Sequence, residues 1–444
     1  MRLRLLVRGR KDAKAARAAL ERFYPGFNYT VETLGGLRGE ALAREVTERA
    51  SPFTIALLPE AEARHVDTRK LPPFARLVAF KSRDLRNLRV EQIASLVDRG
   101  RALIRLGAEW LGGVGAYRLD SNVLPPGLRA EPDIDNFILI NNGLKALSQL
   151  LGVELDGHAL VYIGNDLAHI YYGGMLLATL DLKGSPPRGA RIEAPQPPRA
   201  SLEGLLEANR EPLGRALNEI RSWLSTQVAE SDLVIVPWSG GKDSTLALLL
   251  AREAAGSDRV VAVHVDTGLE FPETEEYIER ISGILGVTVV RASAGLDRAV
   301  VGGRGLPRRG DRWCTGMKLE ALASAVRRLS RNAKRPIVVV GDRDAESRAR
   351  SRRPPLRIDP YHGLRTLAPL KLLGGGHVTL SLLLAGLPLN KLYLEGFYRI
   401  GCFVCPYMSG WEKWLLARGL SEGVSSKAPW ARSLIRLFLA EGAS

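Results

Sequence analysis

A run of small, hydroxylic and charged residues over Ser239–Thr245 could do the most explicit chemistry in this 444-residue sequence. Its Gly240 and Gly241 carry no Cβ, so the backbone there can approach an anion closely and adopt left-handed angles. Lys242 adds a cation, and hydroxyl donors come from three further side chains, Ser239, Ser244 and Thr245. The run therefore predicts a loop that binds the phosphates of a nucleotide.

The residues on either side of this loop predict a buried strand and a helix. The β-branched run Val234–Pro237 is typical of a buried strand, and Leu246–Leu250 with the charged residues after it is typical of an amphipathic helix. The first N–H groups of such a helix point at an anion held in the loop. A Walker A loop is excluded by spacing, because it needs a glycine at Val236 and a hydroxyl residue at Asp243.

Further polar residues follow two later apolar runs. Asp266 comes directly after Val260–Val265, and Arg343 comes just after Ile337–Val340. In a parallel α/β sheet the residues past the carboxyl ends of the strands face the ligand crevice, so Asp266 is expected beside a nucleotide. A guanidinium at the position of Arg343 can bind a phosphate through two hydrogen bonds. Lys318, in the first turns of a predicted helix, could meet a phosphate or solvent.

Several segments of the chain resemble a known family, in that family's order. The loop Ser-Gly-Gly-Lys-Asp-Ser resembles the pyrophosphate-binding loop of the ATP pyrophosphatase superfamily. The run Asp-Thr-Gly-Leu-Glu-Phe-Pro-Glu-Thr over 266–274 resembles the corresponding stretch of phosphoadenosine phosphosulfate (PAPS) reductases. Three later matches are Arg312-Trp313-Cys314-Thr315 with Lys318, Gly341 to Ser347 with Arg350, and Leu387 to Pro406. Together the matches cover residues 232 to 410.

The resemblance implies a Rossmann-like, doubly wound parallel α/β sheet of the adenine nucleotide alpha hydrolase-like type over residues 230–372. It implies that ATP with its magnesium ion, or a sulfonucleotide, binds to three groups of residues. These are Ser239, Gly240, Gly241, Lys242, Asp243, Ser244 and Thr245, then Asp266, Thr267 and Gly268, then Arg343, Glu346, Ser347 and Arg350. The implied catalytic residues are Lys242, Asp243, Lys318 and Arg343. The Lys242→Ala variant is expected to lose nucleotide affinity while remaining folded, since it removes a charge but no core volume.

The cysteines depart from the PAPS reductase pattern. The nucleophilic cysteine of sulfonucleotide reductases lies near the C-terminus in a Glu-Cys-Gly-like segment, whereas no cysteine follows Cys405 here. Cluster-bearing members have adjacent cysteines where this chain has Cys314 followed by Thr315. Thiolates from Cys314, Cys402 and Cys405 can bind an iron–sulfur cluster or zinc and leave one metal position open. We therefore predict a 4Fe-4S cluster, with zinc or buried free thiols as the alternatives.

Two enzymatic functions and one binding function fit these residues. An intact loop suits the β- and γ-phosphates of ATP, which favours adenylation of a substrate with release of pyrophosphate, followed by sulfur transfer, with tRNA as an acceptor. The alternative is a PAPS or adenosine phosphosulfate reductase of sulfate assimilation that uses a non-standard thiol. A non-catalytic nucleic-acid-binding protein is the third function, and the intact loop argues against it.

The charge and composition of the chain limit which partners are expected. With 63 Lys and Arg against 48 Asp and Glu, the net charge is +15, which favours tRNA or another nucleic acid as a partner beside the adenine nucleotide. A solvated basic surface is the alternative explanation. No apolar run is long enough to span a bilayer, and the charged start Met1–Arg8 is unlike a signal peptide. We therefore expect a cytoplasmic protein without membrane contact, and the sequence leaves a homodimer open.

The chain is too long for one core and divides into five predicted parts. Residues 1–105 alternate strand and helix patterns, as in a small α/β module. Residues 106–195 predict a β-rich module, with strands and turns that include 137–143, and end in a Pro-rich linker. The run Asn-Val-Leu-Pro-Pro-Gly at 122–127 resembles PUA-type RNA-binding modules of archaeal enzymes. A linking helix (196–229), the catalytic domain (230–372) and a cysteine-bearing C-terminal region (373–444) follow.

Overall fold

The computed structural model describes residues 3–192, 199–420 and 429–441. Its N-terminal part is a parallel sheet in the order β2-β1-β3-β4 with helices on both faces. The elements are β1 (Arg4–Val7), α1 (Arg10–Phe23), β2 (Thr30–Thr33), α2 (Gly39–Arg49), β3 (Thr54–Pro59), α3 (Glu60–Ala63), β4 (Arg76–Phe80) and α4 (Val90–Leu106). Alternate residues of β1 face opposite ways: Leu5 packs with α1 and α4, and Leu6 packs with α2. The predicted alternation of strands and helices in this part is confirmed.

The second part is strand-rich, as predicted. A short hairpin of β5 (Glu109–Leu111) and β6 (Ala116–Arg118) precedes an antiparallel sheet in the order β11-β10-β9-β8-β7. The elements of this part are β7 (Asp135–Leu139), α5 (Asn141–Leu151), β8 (Ala159–Gly164), β9 (Leu167–Tyr172), β10 (Met175–Asp181) and β11 (Arg188–Arg191). We call residues 135–191 the antiparallel module. Its structure gives no test of the PUA resemblance, because the run at 122–127 lies in the irregular segment before β7.

Two predictions for this part were wrong in detail. The strands and turns predicted to include 137–143 left out a helix, because the strand ends at Leu139 and Asn141 begins α5. Asn141 has a φ of 51°, which Asn tolerates better than most residues, so the chain turns there. The predicted linker begins with an ordered edge strand, because Arg188–Arg191 pairs with β10, and its residues 193–198 lie outside the described residues.

The linking helix α6 spans Leu202–Val228. It begins where the Ser201 side chain accepts a hydrogen bond from the Gly204 N–H at 3.0 Å, which satisfies one of the unpaired donors of the first turn. Its buried face, which includes Leu213, Leu217 and Ile220, belongs to the largest hydrophobic core of the described residues. The helix therefore packs as part of the main body.

The third part is the predicted nucleotide-binding sheet, in the order β14-β13-β12-β15-β17-β16. It contains β12 (Leu233–Pro237), α7 (Lys242–Ala255), β13 (Val260–Asp266), α8 (Pro272–Leu285), β14 (Thr288–Ser293), α9 (Leu296–Ala299), α10 (Trp313–Ser330), β15 (Pro336–Val339), α11 (Arg348–Ser351), β16 (Leu356–Ile358) and β17 (Arg365–Leu367). All neighbouring strands are parallel except β16, which runs antiparallel to β17. Val234 packs on the α7 side and Ile235 on the α10 side, so the doubly wound fold is confirmed.

The C-terminal region wraps back over this sheet. It contains α12 (Gly375–Leu384), α13 (Lys391–Leu394), α14 (Gly410–Leu415) and α15 (Pro429–Glu441). Buried residues of α12 join the core of α6 and α7, and Phe403 packs with Leu269 and Phe271 beyond β13. Across the described ranges, every helix is too short or too polar to cross a membrane.

We expect substitutions of two glycines to have opposite effects on stability. A Cβ at Gly341 would lie 2.6 Å from the carbonyl carbon of Asp243 and 2.8 Å from the nitrogen of Ser244, which are backbone atoms of the first turn of α7. Gly341→Ala should therefore lower the free energy of unfolding by about 1–3 kcal/mol. The control is Gly214→Ala in α6, where a Cβ meets no described atom within 4 Å, and it should raise that free energy by about 0.5–1 kcal/mol. Urea unfolding measures both, and equal effects would contradict the close approach of Gly341 to α7.

Candidate functional site

The predicted phosphate-binding loop joins β12 to α7. Gly240 has a φ of 71°, and a Cβ there would lie 2.8 Å from the Thr274 side chain, so the position requires glycine. The Thr245 hydroxyl donates to the Gly241 carbonyl at 2.9 Å and accepts from the Trp238 indole N–H at 3.0 Å. Ser239 is exposed at the mouth of the loop. The loop therefore has a fixed conformation before any anion binds.

Two serine hydroxyls lie at this mouth, and the Ser239 hydroxyl is the more exposed of the two. The Ser239 and Ser244 oxygens lie 3.2 Å apart, and the Ser244 hydroxyl also donates to the Gly241 carbonyl at 3.0 Å. Directly behind them is the N-terminus of α7, a helix of 14 residues whose first N–H groups have no partner within the helix. Backbone N–H groups and serine hydroxyls together can bind phosphate oxygens here.

Lys242 is buried, which corrects the expectation that its replacement removes no core volume. The residue is 3% exposed, and its Nζ donates to Asp243 Oδ2 at 3.1 Å and to the Tyr398 carbonyl at 3.2 Å. The Nζ also lies 5.4 Å from the centre of the Phe137 ring and 5.1 Å from that of Tyr393. A role for Lys242 in holding Asp243 and the first turn of α7 fits this geometry.

Arg343 and Asp243 lie in the same buried ion network. Arg343 Nε donates to Asp243 Oδ1 at 2.6 Å, and its Nη1 donates to Asp135 Oδ2 at 2.7 Å. Burial would raise the pKa of the Asp243 carboxyl, but the charges of Arg343 and Lys242 hold it below its ordinary value. Burial would lower the pKa of the Arg343 guanidinium, and Asp135 and Asp243 raise it above its ordinary value. Both groups are therefore charged, and the arginine already has two carboxylate partners.

The antiparallel module contributes two residues to this site that the sequence did not predict. Asp135 in β7 bonds Arg343 and also accepts from the Gly375 N–H at the start of α12, at 3.0 Å. Phe137, two residues along β7, covers the Lys242 ammonium. Neither residue lies in a segment that resembles PAPS reductases, so only tertiary structure could identify them.

Two residues of the segment 387–406 support the loop from the other side. The Tyr393 hydroxyl accepts from the Lys242 backbone N–H at 2.9 Å. Asn390 Nδ2 donates to Thr274 Oγ1 at 3.3 Å. The sequence did not assign either residue to the site, although both lie in a matched segment.

The segment after β15 is held by its own ion pairs. The Arg343 N–H donates to Glu346 Oε2 at 2.8 Å, and Arg350 pairs with Glu346 and, at 3.6 Å, with Asp342. The Ser347 hydroxyl accepts from the Arg350 N–H. The Arg350 side chain is 39% exposed and is accessible to a ligand, whereas the Arg343 side chain is 2% exposed and is not. Nucleotide binding by Glu346, Ser347 and Arg350 stays a prediction.

The residues after β13 form a tight turn at the edge of the sheet. Asp266 Oδ1 accepts from the Gly268 N–H at 2.8 Å, and the Thr267 hydroxyl donates to Glu270 Oε1 at 2.9 Å. Gly268 has a φ of 71°, and a Cβ there would overlap Asp297. The structure thus places Asp266 at the carboxyl edge, as predicted, and its contact with a nucleotide stays a prediction.

The three cysteines do not form the predicted metal site. Among the described residues, no group of three or more His, Cys, Asp or Glu side chains is placed to hold a metal ion. Cys402 is instead buried against Lys318, whose Nζ donates to its Sγ at 3.1 Å, and its Sγ lies 3.4 Å from Thr267 Oγ1. Cys314, Cys402 and Cys405 are free thiols. The 4Fe-4S cluster and the zinc alternative are therefore not supported.

The environment of Cys402 makes it a neutral thiol. Burial raises the pKa of the Cys402 thiol to about 11, and Glu270 adds to this shift while Lys318 opposes it. Burial would lower the pKa of the Lys318 ammonium, but its hydrogen bond to Cys402 and the charge of Glu270 raise it above its ordinary value. Because the thiol is neutral at pH 7, Glu270 is the anion that stabilises the charged Lys318.

Replacing Arg343 should cost far more stability than replacing Arg350. Arg343→Met leaves Asp135 and Asp243 buried with fewer partners and should lower the free energy of unfolding by about 3–5 kcal/mol. Arg350→Met breaks partly exposed pairs and should cost less than about 1 kcal/mol. Chemical denaturation measures both. A fully stable Arg343→Met variant that loses only nucleotide affinity would show that the guanidinium binds phosphate rather than the two carboxylates.

Alkylation should distinguish the three thiols. At pH 8 a thiol with a pKa of about 11 is ionised in roughly one molecule in a thousand, so Cys402 should react with iodoacetamide much more slowly than the partly exposed Cys314. The Cys402 rate should rise about tenfold per pH unit up to its pKa. Peptide mass spectrometry follows each site, with urea-unfolded protein as the control. Equal rates for Cys402 and Cys314 in the folded protein would contradict the buried neutral thiol.

Comparisons with known proteins agree with the motif pattern. Residues 233–408 match the phosphoadenosine phosphosulfate reductase domain. The uncharacterized protein MJ0066 of Methanocaldococcus jannaschii is 35% identical over 220 residues, which cover 44% of this chain and 45% of that protein. The uncharacterized protein MJ0973 of the same organism is 26% identical over 211 residues, 46% of this chain and 50% of that protein. The chain thus spans about half the length of the curated relatives it matches.

Two solved structures are also similar to part of the chain. The crystal structure of PAPS reductase from Candida auris in complex with phosphate is 17% identical, with 48% of this chain and 98% of that chain covered and a TM-score of 0.33. The crystal structure of FMN adenylyltransferase of Candida glabrata with FMN and an ATP analog is 20% identical. The match covers 43% of this chain and 62% of that chain, with a TM-score of 0.34. Residues 233–408 of the chain are thus similar to the phosphoadenosine phosphosulfate reductase domain.

Proposed function

We propose that this domain binds ATP with its magnesium ion at Ser239–Thr245 and adenylates an acceptor, with release of pyrophosphate. The observation that supports the proposal is the preformed loop, in which a left-handed Gly240, two exposed or half-buried serine hydroxyls and the N-terminus of α7 converge. Such a site suits an anion with several oxygens. A nucleotide with phosphates beyond the α-position fits this loop better than a monophosphate does.

The loop would act on the leaving group in this reaction. An acceptor oxygen attacks the α-phosphorus, the bond from the α-phosphorus to the bridging oxygen breaks, and pyrophosphate leaves with that oxygen. The hydroxyl of Ser239 and the first N–H groups of α7 would stabilise the negative charge that develops on it. Lys242 and Asp243 would keep the turn in place, because their side chains are bound to each other and to buried neighbours. They are positioning residues in this proposal.

A nucleic acid such as tRNA is the acceptor that we propose. The net charge of +15 supports a polyanionic partner, since a basic protein attracts nucleic acid at long range. The sulfur-transfer step predicted from the sequence depended on a cluster held by three cysteines. Because their geometry does not support such a site, the proposal is limited to adenylation.

The second candidate is a sulfonucleotide substrate. The match of residues 233–408 to the PAPS reductase domain favours it. A reductase needs a reactive thiolate near the sulfonucleotide, and Cys402 lies at the correct edge of the sheet beside Thr267. The high pKa of its thiol argues against it as the nucleophile, because the thiolate is the reactive form.

Exchange of labelled pyrophosphate into ATP tests the adenylation directly, with and without added bulk tRNA. We expect exchange, and we expect Ser239→Ala to raise the ATP concentration needed for half-maximal exchange about tenfold or more. The reason is that a hydrogen bond to a charged phosphate is worth about 1.5–3 kcal/mol. Ser324→Ala, an exposed serine on α10, is the matched control and should leave exchange unchanged.

The same samples distinguish the second candidate. Release of sulfite from PAPS in the presence of a dithiol reductant, with no exchange under any condition, would contradict adenylation and favour the reductase. Exchange that is insensitive to Ser239→Ala would contradict the role of the loop hydroxyl.

A further inference from the structure

A basic, glycine-rich segment that the proposed chemistry does not use lies beside the nucleotide-binding edge of the sheet. Residues 298–313, which we call the basic segment, contain five arginines, four glycines and one acidic residue, Asp311. The side chains of Arg304, Arg309 and Arg312 are exposed. This is a strong local excess of positive charge on a short stretch of surface.

Contacts with the segment 402–407 hold the basic segment at this edge. Arg309 Nε donates to the Pro406 carbonyl at 3.2 Å, and the Tyr407 hydroxyl donates to the Arg309 carbonyl at 3.1 Å. The Phe403 N–H in turn donates to the Leu269 carbonyl at 3.0 Å, beside the turn that follows β13. Residues 402–407 therefore connect the basic segment to the turn after β13, whose residues are expected beside the nucleotide.

Two of the arginines stack on aromatic rings. The Arg304 guanidinium lies 4.7 Å from the centre of the Trp313 ring, and that of Arg312 lies 4.9 Å from the centre of the Tyr407 ring. Guanidinium carbons at these distances are within cation–π range of the rings, and both arginine side chains remain exposed to solvent. Planar cationic groups of this kind can bind phosphates through their N–H groups and nucleobases through their faces.

We propose that the basic segment binds single-stranded RNA. The guanidinium groups of the arginines would bind the phosphates, and the aromatic and guanidinium planes would stack on bases. Stacking of this kind requires bases that are not already stacked in a duplex. Such bases occur in the loops and ends of folded RNA. The inference deepens the proposed function and rests on it in one respect, since RNA bound there would present an acceptor group to the nucleotide edge.

The test is binding of a labelled single-stranded RNA of about 12 nucleotides, a length within the range that such surfaces cover. Fluorescence anisotropy gives the dissociation constant of the full chain between about 50 and 200 mM salt. The variant Arg304→Ala/Arg312→Ala should weaken binding about tenfold or more. It should also reduce the slope of log affinity against log salt by about 1.4, because each phosphate contact to a single strand contributes about 0.7.

The matched control is Arg328→Ala/Arg331→Ala, which removes two exposed arginines at the opposite end of α10. This variant should bind RNA as the unmodified chain does. An equal loss in both variants would overturn the proposal, because binding would then follow total charge rather than the basic segment. Tighter binding to DNA of the same sequence than to RNA, or displacement of RNA by polyglutamate as readily as by unlabelled RNA, would also overturn it.

Calorimetry with ATP on the same samples separates the two proposals. ATP affinity should be the same in both double variants. Absence of RNA binding at low salt by a chain that binds ATP would overturn the RNA surface and leave the nucleotide site intact. Loss of ATP binding in the Arg304→Ala/Arg312→Ala variant alone would show that the basic segment belongs to the nucleotide site, which also overturns the proposal.

Discussion

A network of four charged side chains, three of them buried and Asp243 half-buried, is the interaction on which the candidate site depends. Asp135, Arg343, Asp243 and Lys242 are joined in that order by hydrogen bonds of 2.7, 2.6 and 3.1 Å. Removing such charges from water is costly, and the network is tolerable only because each member has partners of opposite charge. Its consequence is that the phosphate loop, the segment after β15 and the antiparallel module have one fixed relative position.

The site is therefore a product of the whole chain rather than of the matched domain alone. Asp135 and Phe137 come from the antiparallel module, while Tyr393 and Asn390 come from the C-terminal region. The N-terminal module is tied in by a second buried network, in which Arg101 donates to Asp344 at 2.6 Å and Lys371 pairs with Asp344 at 2.8 Å. A loop held in this way loses little conformational freedom when an anion binds, which favours affinity for phosphate.

The local sequence pattern was sufficient to predict much of the fold and the position of the loop between β12 and α7. Strands such as Val260–Asp266 are largely apolar, and Ser239–Thr245 combines glycines with small polar residues, which favours a turn between a strand and a helix. The strand and the position of the loop were therefore predictable. The burial of Lys242 was not, because exposure depends on Phe137 and Tyr398, which lie more than a hundred residues away in sequence. Asp135 was missed for the same reason. The cysteines were misjudged because a Cys-x-x-Cys spacing specifies local proximity only, whereas the position of Lys318 against Cys402 is set by tertiary packing.

The central claim is that the loop between β12 and α7 holds the phosphates of ATP beyond the α-position, and calorimetric competition tests it most directly. ATP and pyrophosphate should compete for one site on the full chain, and AMP should bind it at least tenfold more weakly than ATP, a difference of about 1.4 kcal/mol. Equal affinities for ATP and AMP, with no competition by pyrophosphate, would contradict the account, because the loop would then contribute nothing to nucleotide binding.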